Sequence, residues 1–109
     1  MTEHDAEFDV EMDVSAAATV LTLRGELDVF TAPLLEARLR DLRPLRAALT
    51  LEVGELMFVD SSGVRTLTAV RRAAVEDVGG QVTLRNPRPS LLKLLEMTGL
   101  AGAFTMASG

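Results

Sequence analysis

A chain of 109 residues holds one domain's worth of material, enough for a hydrophobic core without disulfide or metal staples. Its 48% apolar residues exclude disorder, its 25% charged residues indicate a soluble surface, and the absence of cysteine removes disulfides, thiolate nucleophiles and cysteine-held zinc. The net charge of −5 is concentrated in six acids ahead of the first base, the rest having no basic stripe and neither Trp nor Tyr, which disfavours direct nucleic-acid binding.

The N-terminal Met1-Thr2-Glu3-His4-Asp5 is acidic and lacks the apolar stretch of a signal peptide. No apolar run approaches the roughly 20 residues that span a bilayer, so a cytoplasmic protein without a membrane segment is expected. From Asp5 the chain alternates strictly, with Ala6, Phe8, Val10, Met12 and Val14 between Asp5, Glu7, Asp9, Glu11 and Asp13. Period two predicts a half-buried strand with one charged, solvated face. Ser15 to Ala18 is a small-residue turn, and Thr19 to Arg24 a second strand, antiparallel to the first, closed by Gly25-Glu26-Leu27-Asp28. Thr31 is the expected N-cap of a helix with Pro33 in its first turn, Leu35, Leu39 and Leu42 inside, and Arg38, Arg40 and Asp41 outside. Pro44 stops it.

Ala48 to Val53 is a third strand, and a second apolar burst, Leu56 to Val59, leads into Asp60-Ser61-Ser62-Gly63. A second helix follows, with Val64, Leu67, Val70, Ala74 and Val78 on one stripe and Gly79-Gly80 at its end. Gln81 to Arg85 is a fourth strand, Asn86-Pro87-Arg88-Pro89 a rigid connection, and Ser90 the cap of a third helix ended by Thr98-Gly99. Leu100 and Phe104 form a closing segment, and residues 107–109 are expected to fray. The order β-β-α-β-α-β-α predicts an α/β fold: one small mixed sheet with helices packed on it, a single domain over 1–109 with its core in about 6–105.

The inventory is poor in catalytic groups. His4 is the lone histidine, Lys93 the lone lysine, and neither a nucleophile elbow nor a glycine-rich phosphate loop occurs. Asp28, Asp60 and Glu26 are three acids that a metal-dependent enzyme would need together, a weak signal; no catalytic residue, metal or cofactor is assigned. Asp28 and Asp60-Ser61-Ser62-Gly63 instead end two strands. If those strands are parallel, both loops lie at the sheet edge where α/β folds keep functional residues. Asp60 to Gly63 reads as an ordinary helix cap or as a place where a phosphate is made or held.

The segments Leu23 to Asp28, Phe58 to Val64, Gly79-Gly80-Gln81 and Leu94 to Leu100 together resemble the STAS family, and within it the bacterial anti-anti-sigma factors (anti-sigma factor antagonists). The likeness runs from about Phe8 along nearly the whole chain. It implies that Ser61 accepts a phosphate from an anti-sigma factor with serine-kinase activity. The unphosphorylated form would bind that partner and free a sigma factor, and a phosphatase would reset the switch. Asp28 and Asp60 match the acids flanking the acceptor, and Asp28, Asp60, Ser61, Ser62, Gly63 and Arg65 form the implied partner surface. Ser62 is the alternative acceptor, with helix capping as its plainer role. Arg65 departs from the family pattern, which often has a second glycine there. The alternative function is an unphosphorylated STAS module, serving a transport system as a soluble subunit or a stress-signalling complex as a scaffold.

Overall fold

The computed structural model of the chain describes residues 8–109, so His4, Ala6 and the first acids lie outside the described residues. Strands β1 (Phe8–Val14) and β2 (Ala18–Leu27) form an antiparallel hairpin. Ser15 holds the turn, its Oγ accepting the N–H groups of Ala17 and Ala18 at 3.3 and 3.2 Å. Helix α1 (Ala32–Leu42), strand β3 (Ala48–Val59), helix α2 (Ser61–Val78), strand β4 (Thr83–Arg85), helix α3 (Pro89–Met97), a 3₁₀ turn (Ala101–Ala103) and strand β5 (Thr105–Ala107) follow. The sheet order is β1-β2-β3-β4-β5, every pair after the hairpin being parallel. The expected mixed sheet, with β2 and β3 parallel across α1, is present.

Alternation decides which face is covered. Leu21, Leu23, Leu49, Leu51, Val53 and Leu84 are buried and join Leu35, Leu39, Val64, Leu67, Val70, Leu91 and Leu95 of the helices in one core. The intervening Thr22, Arg24, Glu52 and Arg85 form the opposite, wetter face. There cross-strand neighbours pair by charge: Arg24 bonds Asp9 and Glu11 at 3.2 and 3.0 Å, and Arg85 bonds Glu52 at 2.8 Å. The solvated acidic face predicted for β1 is thus engaged with Arg24. Its apolar face is only half used, since Phe8 and Val10 are buried while Met12 and Val14 are exposed.

Four local expectations are corrected. The third strand and the apolar burst are one strand, β3, carrying irregularities opposite Thr22–Arg24 and Gly25–Glu26. Each adds a residue on β3, so burial passes from Leu49, Leu51 and Val53 to Leu56. Helix α3 starts at Pro89, because a residue before proline is held extended; Arg88 takes the cap position at ψ 155°, and Ser90 lies inside the helix. The fourth strand is shorter than expected, although Val82 and Leu84 are both fully buried. Residues 105–107 form a fifth strand, and the chain end is tied back by Asn86, whose N–H bonds Ala107 O at 2.8 Å and whose Oδ1 accepts Gly109 N–H at 3.0 Å.

Behind the site, Arg43 after α1 clamps Asp77 near the end of α2 through two bonds of 2.9 and 3.0 Å. Leu45 N–H adds a third at 2.8 Å. The guanidinium, with this backbone donor, holds the Asp77 carboxyl down at about 2.

Candidate functional site

The C-terminal ends of β2 and β3 lie side by side, with Leu27 paired to Val59, so the loops carrying Asp28 and Asp60 emerge together. This is the shared edge that a parallel pair required. The Asp60 backbone is extended (φ −105°, ψ −171°), which places its carboxylate over the first turn of α2. Oδ1 accepts Gly63 N–H at 3.0 Å, and Asp60 O accepts Val64 N–H at 3.0 Å. Asp60 is therefore the N-cap. The expectation that Ser62 caps the helix is overturned, because Ser62 already has helical backbone as the second residue of α2. Its carbonyl takes the Thr66 hydroxyl at 3.1 Å.

Gly63 explains how the helix comes so close to the sheet. A Cβ at this position would stand 2.6 Å from Leu27 O and 2.7 Å from Val59 Cγ1, distances that real Cβ contacts do not reach. The glycine is a matter of space, and it lets α2 begin directly against the end of β2.

Asp28 plays a related part at the neighbouring loop. Its Oδ1 accepts the N–H groups of Phe30 and Thr31 at 2.9 and 3.0 Å. Thr31, expected to cap α1, has helical backbone (φ −99°, ψ −18°), and its hydroxyl donates to Glu26 O at 2.7 Å while accepting Asp28 N–H at 3.0 Å. Thr31 stands at the N-cap position as expected but makes no side-chain bond to the helix, and an Asp28–Thr31 clasp orders the loop that leads into α1. Both acids of the candidate site thus do structural work: Asp60 holds the first turn of α2, and Asp28 holds the loop that enters α1.

Within this frame the predicted residues separate. Ser61, the first residue of α2, is exposed, and its hydroxyl bonds to no other described residue. Ser62 turns inward and, with Arg65, lines an open cleft of about 190 Å³ between the first turns of α1 and α2, completed by Val29, Pro33, Glu36 and Thr66. Gly63 is buried beneath them. Asp28, Asp60 and Glu26 do not form a metal-holding group, for no cluster of three His, Cys, Asp or Glu suited to a metal occurs among the described residues.

Apolar residues at the same edge were not singled out from the sequence. Phe30 is 84% exposed and Phe58 49%, with Val29 and Met57 also exposed at the ends of β2 and β3. The signal was available in the run Leu56-Met57-Phe58-Val59, whose two middle residues the second β3 irregularity pushes outward. Large side chains left in water beside free polar groups have the composition of a protein-binding patch.

The comparisons with known proteins agree with this geometry. The family model for the STAS domain matches residues 9–108. The anti-sigma-B factor antagonist of Bacillus subtilis is 30% identical over 80 residues, covering 73% of this chain and 72% of that protein. The structure of the anti-sigma factor antagonist SpoIIAA in its unphosphorylated form superposes with a TM-score of 0.74 at 28% identity, covering 94% of this chain and 87% of the other. The phosphorylated form of the Bacillus cell-fate determinant SpoIIAA gives 0.70 at 28% identity, over 94% and 90%. Among the described residues no helix is long and apolar enough to cross a membrane. Fold, strand-end loops and sequence agree: this chain belongs to the STAS-domain family.

Proposed function

We propose that this protein is an anti-sigma factor antagonist in a partner-switching pathway. Its unphosphorylated form binds an anti-sigma factor with serine-kinase activity and releases a sigma factor, and phosphorylation of Ser61 ends the binding. The role is non-enzymatic and cytoplasmic, with a phosphatase restoring the binding form. The relatives named for antagonism, and SpoIIAA solved with and without phosphate, support it.

The observation that carries the reading is the position of Ser61, an exposed and uncommitted hydroxyl on the first turn of α2 among exposed apolar side chains. A kinase can reach it without opening the fold. The first turn of a helix has free N–H groups and the positive end of the dipole, which favour an anion by about 0.3–1 kcal/mol at an exposed position. Phosphate brings roughly −1.5 to −2 charges to a surface that already holds Asp60 and Asp28. A partner fitted to a hydroxyl and an apolar rim then meets bulk and desolvated charge. A tenfold loss of affinity requires only about 1.4 kcal/mol, so local repulsion suffices. Ser62 suits this role less well, because its side chain lines the cleft beside Glu36.

The test is incubation with the cognate kinase and ATP, with phosphosite mapping of wild type, Ser61→Ala and Ser62→Ala. Phosphate is expected on Ser61, absent from Ser61→Ala and retained in Ser62→Ala. Phosphorylation of Ser61→Ala at the wild-type rate sinks the assignment.

A further inference from the structure

Arg65 follows Ser61 by four residues on α2, and both side chains are exposed. Residues at this spacing are neighbours on a helix surface, with Cβ atoms roughly 6 Å apart, and an acid preceding a base is the favourable order. Helical side chains lean toward the N-terminus, which directs the guanidinium back over the turn that carries Ser61. Arg65 is also uncommitted. The ion pairs among the described residues use Arg24, Arg43 and Arg85, while Arg71 and Arg88 donate to the carbonyls of Ala103 and Gly54. Glu36 lines the same cleft as Arg65 without forming an ion pair with it.

We propose that Arg65 is the intramolecular counter-ion of phosphorylated Ser61, closing a two-pronged guanidinium–phosphate contact across one turn of α2. This deepens the proposed function and rests on Ser61 being the acceptor. The planar fork of arginine matches two phosphate oxygens, which a lysine point charge does not. Phosphorylation then changes the surface twice: it adds an anion beside the apolar rim, and it draws Arg65 away from the cleft and from any partner that used it. Asp60 at the helix start, Asp28 on the neighbouring loop and Glu36 on α1 all oppose the phosphate dianion, and Arg65, one turn further along α2, favours it.

The second ionisation of the phosphate reads this balance directly. Phosphoserine is placed at position 61 by genetic encoding, so no kinase is needed, and the phosphorus resonance is titrated against pH in the full chain. The second pKa should lie about 0.3 units lower in the wild-type phosphoprotein than in Arg65→Gln, with Arg65→Lys between them. Arg72→Gln, an exposed base two turns further along α2, should titrate like wild type. Equal values in wild type and Arg65→Gln overturn the pair, and so does an equal shift in Arg72→Gln, which would mean a diffuse field. Phosphate mapped by the kinase assay to another residue overturns the acceptor assignment, while the titration reports on the pair alone.

Discussion

Gly63 and Asp60 determine whether Ser61 is presented at all. Because a Cβ on Gly63 would meet Leu27 O at 2.6 Å, Gly63→Ala must push α2 off the end of β2 or distort the strand. Such overpacking costs about 1–3 kcal/mol. The control is Gly80→Ala, where nothing lies within 4 Å of the added carbon and the change should stay within about 0.5 kcal/mol. Urea denaturation of the two variants checks this, and equal stability would mean that the helix start is not sterically fixed. Asp60 separates capping from charge. Asp60→Ala removes the acceptor of Gly63 N–H and should cost about 1 kcal/mol, whereas Asp60→Asn keeps an oxygen in place and should cost much less. If both variants lose partner affinity while only Ala loses stability, the carboxylate acts on the partner through its charge.

The two long helices are joined at their far ends by Arg43 and Asp77, and pH tests that join. The folded carboxyl of Asp77 sits at about 2, below an unfolded value of about 3.9. A depressed acid contributes stability that is present in full above its unfolded pKa and lost as pH falls through the folded one. Wild type should therefore lose this contribution between about pH 4 and pH 2, and Asp77→Asn should lack that part of the acid dependence in thermal melts. Identical pH profiles would show that Arg43 does not stabilise the ionised form.

The same elements show how far the sequence could be read. Strict alternation in 8–14, the β-branched and leucine-rich run of 19–24, and the helical stripe from Val64 to Ala74 announced β1, β2 and α2, because each buries one face of a regular element. Strand β5 has three residues at a sheet edge, too few for a period to declare itself. The irregularities of β3 erased its alternation and made one strand resemble two segments. Capping was ambiguous for a different reason. Asp60, Ser61 and Ser62 are all suitable cap residues, and only the extended backbone at Asp60 fixes which one caps and which one is left free. The roles proposed for Ser61 and Asp28 came from family likeness; the Asp28–Thr31 clasp and the exposed Phe30 show only in the folded chain.

The whole molecule bears on how the switch can operate. One continuous core ties β1 through α3 together, and close-packed interiors shift between discrete arrangements, with little room for gradual deformation. Ser61 stands outside that core, and the groups fixing the helix start are Asp60 and the Gly63–Leu27 contact. A phosphate on Ser61 would leave all of these in place, so the proposed phosphoprotein should keep the same strand register. Added anionic charge at the first turn of α2 should raise its melting temperature by roughly 1–6 °C. Backbone amide resonances should move only around the two loops and first helical turns, in about residues 26–34 and 57–66, with β1, β4 and β5 unchanged. Shifts spread through those remote strands would mean that phosphate repacks the core and that the partner reads a changed fold, while a lower melting temperature with confined shifts would mean that repulsion from the neighbouring acids outweighs the helix dipole. Confined shifts with lost partner affinity would mean that it reads charge and shape at one helix start.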